Sequence, residues 1–268
     1  MSEKPAVAPG PAFKKSVGRE YLESIVVAVV LALFIRTFTV QAFKIPTGSM
    51  ETNLLIGDHL LVNKLVYSPS AGPLEASLLG KKPIERGHVV VFKYPEDPTR
   101  DFIKRVIGLP GETVEIRNKQ VFINGRPLDE DEQLCSQEQP SGPMSCVDAD
   151  PADEGPYKVF FLHAPAAPDD AEYGLVSGVS DRDNWGPRVV PEGHLLVLGD
   201  NRDNSRDGRY WNDPFLRADQ VKGRALLVYW SYEATREEYH RTGVVQWLRD
   251  TLSAFGRTRW KRFFHLIR

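Results

Sequence analysis

The sequence predicts a mainly β protein: an antiparallel, barrel-like sheet, a helix of transmembrane character at the amino end and a short basic amphipathic helix at the carboxyl end. Three observations predict it. Short β-branched runs recur from residue 43 to residue 235, separated by Gly, Pro and Asn turn signals. One run, IVVAVVLALFI over Ile25–Ile35, is strongly apolar and carries no charge. The carboxyl end, Val244–Arg268, mixes Trp247, Leu248, Phe255, Trp260, Phe263, Phe264 and Ile267 with Arg249, Arg257, Arg259, Lys261 and Arg262. That mixture suits a helix lying on anionic lipid, and equally a terminal helix docked on the sheet with a solvated basic face.

Residues 1–20 form a polar leader with Pro5, Pro9 and Pro11 and the cations Lys4, Lys14, Lys15 and Arg19. Too little of it is apolar to build a core. The apolar run, extended to Tyr21–Ala42, reaches spanning length, and Glu23 and Arg36 lie near enough to its ends to snorkel. Three readings stand open on this segment: a transmembrane anchor over 21–42, the apolar region of a cleaved secretory signal ending at Val40-Gln41-Ala42, or a buried core helix. In the first two the basic leader stays cytoplasmic and everything after residue 42 lies outside.

Strands are expected at His59–Lys64, Gly87–Phe92, Phe102–Ile107, Glu112–Ile116, Gln120–Ile123, Leu195–Leu198 and Ala225–Trp230, with turns at Leu109-Pro-Gly and Asn124-Gly. They make one extracytoplasmic domain over 43–235, with an inserted subdomain over about 113–193 and a basic segment over 236–268. The acidic, proline-bearing stretch Leu128–Glu154 holds the two cysteines, Cys135 and Cys146. They are a disulfide in an oxidising compartment or two free thiols in a reducing one.

The chain has 268 residues, 41% hydrophobic, and a net charge of -2, which offers no basic excess for nucleic acid. Two cysteines do not make a structural zinc site, and neither HExxH nor Cys-x-x-Cys occurs. No metal and no cofactor is expected. G-x-S-x-G and S-x-x-K are absent as well, which argues against two common serine-hydrolase arrangements.

Four blocks carry chemistry: Ile45-Pro-Thr-Gly-Ser-Met50, Gly57-Asp-His-Leu-Leu-Val-Asn-Lys64, Asp101-Phe-Ile-Lys-Arg-Val-Ile-Gly-Leu-Pro-Gly-Glu112 and Gly199-Asp-Asn-Arg-Asp-Asn-Ser-Arg-Asp-Gly-Arg209. Each taken singly has a plain reading as turn or surface. Together and in this order they resemble the bacterial type I signal peptidases (leader peptidases), Ser-Lys peptidases of the cytoplasmic membrane. The resemblance covers the apolar segment and most of residues 43–232. It implies a retained single-pass anchor with a cytoplasmic amino terminus. The implied activity is cleavage of exported preproteins after small residues, with signal peptides and membrane lipid as partners.

Residue by residue, the resemblance makes Ser49 the nucleophile and Lys104 its general base. The Ser49 N–H and the Thr47 hydroxyl become the oxyanion donors, and Ser205 a hydrogen-bond partner of the lysine. Asp200, Asp207 and Arg209 support the site. Phe43, Ile45, Met50, Leu54, Phe102 and Ile103 stand where substrate pockets would be lined, although all of them could equally be core. The residue types fit the chemistry. A serine hydroxyl needs a base to become nucleophilic, and lysine serves only as a neutral amine, which burial favours. Strand alternation puts Phe102, Lys104 and Val106 on one face.

The chain departs from the family at Glu51-Thr52-Asn53, where a proline then a threonine are common, at His88 for an aspartate and at Gly208 for a serine. His59 and His88 are the alternative bases. The reading from another class is a non-catalytic, membrane-anchored β domain acting in assembly or binding.

Overall fold

The computed structural model describes residues 16–34, 39–51, 53–65, 67, 83–137, 144–148, 156–162, 183–234 and 256–267. The chain divides into two compact units, Met1–Thr39 and Val40–Arg268.

The first unit holds α1 (Val17–Phe34), with no buried residue. Its apolar side chains are exposed all round, from Val17 through Ile25, Val29 and Leu33 to Phe34. Among the described residues no helix is long and apolar enough to cross a membrane. Residues 35–38 of the expected span lie outside the described residues.

The second unit opens with β1 (Val40–Lys44), β2 (Asp58–Asn63), β3 (Val89–Tyr94) and β4 (Asp97–Gly108). Next come β5 (Thr113–Arg117), β6 (Gln120–Ile123), β7 (Arg126–Pro127), β8 (Asp131–Gln137), β9 (Met144–Asp148), β10 (Lys158–Leu162) and β11 (Trp185–Val189). The chain then returns through β12 (His194–Leu198), β13 (Leu216–Arg217), β14 (Val221–Ser231) and β15 (His265–Leu266). The expected span 21–42 therefore overlaps a strand. Val40–Ala42 pair antiparallel with Leu61–Asn63, and the ladder satisfies backbone groups that a helix would have satisfied internally.

The main sheet runs β1-β2-β14-β3-β4-β12-β13, and β15 takes the edge of β14 beyond β3. No ladder among the described residues joins β13 to β1. Two smaller sheets come from residues 113–189: β11-β5-β6-β7 and β10-β8-β9. The β8–β10 pair is parallel, an exception in an otherwise antiparallel fold. Left-handed backbone at Asn118 and Lys119, and at Asn124 and Gly125, makes the tight turns either side of β6. Cys135 and Cys146 face each other across β8 and β9 and are disulfide-bonded.

Alternation shows in β2, where Asp58, Leu60 and Val62 are buried and their neighbours half-buried. β4 breaks that pattern: its last six residues are all buried. The cause is that three core clusters meet on it. Ile103 packs with Ile45, Met50 and Leu54, while Val106 packs with Phe92 and Trp211. Ile107 joins Val114, Ile116 and Leu198 in the third cluster. Removal from water contributes roughly 1.5–3 kcal/mol for each such side chain, and Lys104 and Arg105 are buried among them.

Of the expected basic carboxyl-terminal segment, residue 256 is helical, and residues 257–267 are not an α-helix. They make a 3-10 turn at Trp260–Arg262 and then β15. The free edge of β14 needs partners for its backbone groups, and Ile267 N donates to Leu226 O at 2.9 Å. Arg262 binds the Asp58 carboxylate at 2.6 Å and the Asn53 carbonyl at 2.8 Å. Ile267 packs against the Ile45–Met50–Leu54 cluster. Residues 235–255 lie outside the described residues.

Candidate active site

Ser49 sits in a tight turn after β1. Glu51 N donates to Gly48 O at 3.0 Å and Leu54 N to Met50 O at 2.8 Å. The turn is anchored behind by Ile45, Met50 and Leu54, each at most 2% exposed. The Ser49 hydroxyl points to β4, where Lys104 Nζ lies 2.6 Å from Oγ. Both residues are buried, Ser49 at 9% exposure and Lys104 at 3%. Lys104 Nζ also stands 5.5 Å from the centre of the Phe102 ring, so the two share a face of the strand.

Between the ends of β12 and β13 the chain forms a loop, residues 199–209, that closes over this pair. Asn201 N donates to the Ser49 carbonyl at 3.2 Å, and its side-chain amide to the Gly48 carbonyl at 3.3 Å. The Asp207 carboxylate accepts from Gly199 N at 2.9 Å and from Arg209 Nε at 2.8 Å. Arg209 Nη2 reaches on to the Arg202 carbonyl at 2.6 Å. Burial alone would raise the Asp207 carboxyl. Arg209 and the Gly199 N–H outweigh it and hold the carboxyl below its usual range. Asp207 and Arg209 are thus a buried brace, not a surface pair.

A second buried layer supports the first. Arg105, next to the lysine, grips Asp200 through Nε at 2.7 Å and Nη2 at 2.6 Å. Asp200 Oδ2 also accepts from Asn53 Nδ2 at 2.7 Å, which ties it to the nucleophile segment. Arg202 forms a two-pronged pair with Glu130, and Tyr157 donates to the same carboxylate at 2.9 Å.

The structure brings Ser49, Lys104, Asp200, Ser205, Asp207 and Arg209 into one buried cluster. One expected bond is missing: Ser205 is buried, but its Oγ has no hydrogen-bond partner among the described residues. Thr47 is half-buried, two residues before Ser49. Of the six candidate lining residues, Ile45, Met50 and Leu54 are closed into the core, and Ile103 is 9% exposed. Phe43 and Phe102 keep surface. The histidines lie elsewhere, His59 among Tyr229, Trp230 and Tyr232, and His88 against Tyr67. Among the described residues no cluster could hold a metal ion. A cavity of about 590 Å³ opens behind the nucleophile segment, lined in part by Asn53, Leu54 and Arg105, and includes neither Ser49 nor Lys104.

Asn201, Asn53 and Arg105 were not singled out by sequence. The available signal was adjacency, since Arg105 follows the lysine, Asn201 lies in the last block, and Asn53 belongs to the departure after Ser49.

Gly199 has a testable role. A Cβ there would run into the Ser205 side chain and stand 2.6 Å from the Ser49 carbonyl oxygen. The serine side chain can give; the backbone of the nucleophile turn cannot without moving Ser49. Gly199→Ala is expected to cost about 1–3 kcal/mol of stability and to lower activity by more than that loss explains. Denaturant melts and rates at a temperature where the variant is folded check it.

Residues 18–230 match the family model described as "Signal peptidase, peptidase S26". A signal peptidase I of Pseudomonas aeruginosa is 32% identical over 245 residues, covering 84% of this chain and 78% of that one. One from Aquifex aeolicus is 32% identical over 234 residues, covering 80% and 84%. A crystal structure of a signal peptidase I from Enterococcus faecalis matches 53% of this chain and 97% of that one at 27% identity, with a TM-score of 0.31.

Proposed function

The chain belongs to the signal peptidase family, peptidase S26, and is a serine peptidase that cleaves signal peptides; we propose that it does so with Ser49 as nucleophile and Lys104 as general base. The observation that carries this reading is the 2.6 Å approach of Lys104 Nζ to Ser49 Oγ between two buried side chains.

The steps follow from that pair. As Ser49 Oγ attacks the scissile carbonyl, its proton passes to the neutral Lys104 amine. Negative charge gathers on the carbonyl oxygen, where the Ser49 N–H and the Thr47 hydroxyl donate; a single such donor is typically worth about 3–4 kcal/mol. Collapse breaks the peptide bond, and the ammonium returns its proton to the leaving amine. The neutral amine then takes a proton from water as it attacks the ester, and returns that proton to Ser49 Oγ as the ester bond breaks and the signal peptide leaves. Burial among Phe102 and the β4 clusters favours the uncharged amine that this requires.

Phe43 and Phe102 are the side chains placed to meet an extended substrate, which would lie along a strand edge. The exposed apolar surface of α1 needs a nonpolar partner, and a bilayer supplies one. We read α1 as a single anchor in the cytoplasmic membrane, with the basic leader inside and the peptidase unit outside. The test is a preprotein digestion. Wild type should release a mature chain whose new amino terminus follows a small residue, and Ser49→Ala should release none while melting at the wild-type temperature. Cleavage by Ser49→Ala at the wild-type rate would remove the nucleophile.

A further inference from the structure

The hairpin turns either side of β6 are made from different residues. Asn124-Gly125 is the ordinary pair, with glycine in the left-handed backbone at φ 77°. The other turn, Asn118-Lys119, puts a lysine at φ 73° where glycine is favoured. A side chain strains that conformation, and such strain persists only where the surroundings hold it. Here they do. Lys119 N donates to the Asp183 carbonyl at 2.9 Å, and Asn118 N to the Asn184 side chain at 3.0 Å. Lys119 Nζ lies 5.3 Å from the centre of the Phe161 ring. It donates to both carboxylate oxygens of Asp203, at 2.8 and 2.9 Å, with Asp183 Oδ1 further off at 3.8 Å.

Asp203 belongs to the loop that closes over the Ser49–Lys104 pair. It lies in a turn that Asn204 N closes on Asn201 O at 3.3 Å. Asn201 heads that turn and holds the nucleophile segment, through its N–H to Ser49 O and its side-chain amide to Gly48 O. The Gly48 carbonyl and the Ser49 N–H share one planar peptide group. Fixing that oxygen therefore fixes the direction of the N–H that serves as an oxyanion donor. The loop is docked independently of Lys119, by the buried Arg202–Glu130 pair and by backbone bonds from Phe160 N to Asp200 O and from Arg202 N to Phe160 O.

We propose that Lys119 is a positioning residue for the oxyanion site: it occupies a glycine-favouring turn because its side chain, through Asp203, steadies the Asn201 turn against the Gly48–Ser49 peptide. The proposal rests on the Ser49 reading. Loss of Lys119 leaves the loop docked and the donor less well aimed, so the cost falls on turnover and not on substrate binding.

Glycine at 119 removes the side chain and relaxes the turn, which separates positioning from mere bracing. Lys119→Gly should melt at or above the wild-type temperature. Its kcat on a preprotein should fall about two- to fivefold with KM unchanged, the share that a partly exposed ion pair carries. Lys119→Arg, which keeps donors for Asp203, should retain the wild-type kcat. Asp203→Asn should match Lys119→Gly, and the double variant should be no slower than either. An unchanged kcat in Lys119→Gly overturns the proposal, and so does a loss confined to KM, which would make Lys119 a substrate contact. A melting temperature that falls together with kcat makes it a brace of the hairpin, and losses that multiply in the double variant break the link to Asp203; either result overturns the proposal. Ser49→Ala in the same assay keeps the two claims apart. If it is inactive while Lys119→Gly turns over at the wild-type rate, only Lys119 loses its role; if Ser49→Ala cleaves, the nucleophile falls first.

Discussion

Lys104→Met is expected to lower preprotein cleavage by up to about four orders of magnitude while leaving the fold intact. The size comes from the role. A positioned general base is worth roughly 10²–10⁴ in rate, and a nucleophile and base acting as one unit lose most of their effect when either is removed. Survival of the fold comes from the surroundings. Lys104 is 3% exposed beside Phe102, on a strand whose neighbours pack in three apolar clusters. Methionine nearly matches its length and volume, and an apolar group replacing a buried amine leaves no stranded charge. Initial rates with circular dichroism melts check both halves. A Lys104→Met enzyme within tenfold of wild type would leave the serine without its base.

Arg105→Ala should produce the largest loss of stability. Arg105 and Asp200 are 2% and 1% exposed, so the pair is shielded from solvent. Removing the guanidinium leaves the Asp200 carboxylate buried without its counter-charge, and breaking such a pair costs about 3–5 kcal/mol. For a unit of this size that is a fall on the order of 10 °C in Tm. Activity should fall too, because Asp200 also holds Asn53 of the nucleophile segment at 2.7 Å. Asp200→Leu added to Arg105→Ala should cost much less than the sum of the two single changes, since neither charge is then stranded. Urea melts of the four proteins give the coupling directly; strict additivity would contradict it.

The main strands were legible because their signals are local. The β-branched run at His59–Lys64 overlaps β2 almost residue for residue, and those at Phe102–Ile107 and Ala225–Trp230 lie within the longer β4 and β14. Asn124-Gly125 announced its turn through the left-handed backbone it tolerates. Two ends misled for one reason. Val40–Ala42 ends the extended segment Tyr21–Ala42, and Trp260–Ile267 mixes apolar with basic residues, so each suits a helix taken alone. Both pair instead with strands more than fifteen residues away in sequence, a long-range demand that local pattern does not carry.

At the site, the blocks brought Ser49 and Lys104 forward, and their 2.6 Å approach is a tertiary fact that spacing alone cannot express. The bracing was less legible. Asp207 and Arg209, two residues apart, look like a surface pair until burial is known. Asn201 matters through backbone acceptors at Gly48 and Ser49, which no side-chain motif records. Met50 and Leu54 were candidates for a pocket wall, and the docked Ile267 helps close them into core.

The central claim is that Lys104 is an uncharged amine when the enzyme is at work. With 15N-lysine labelling, the ε-nitrogen signal missing from Lys104→Met identifies this residue in the wild type. It should show a neutral amine throughout the pH range of full activity, and cleavage should fall away as that signal turns to ammonium on acidification. An ammonium signal persisting at the pH of maximal cleavage would contradict the account.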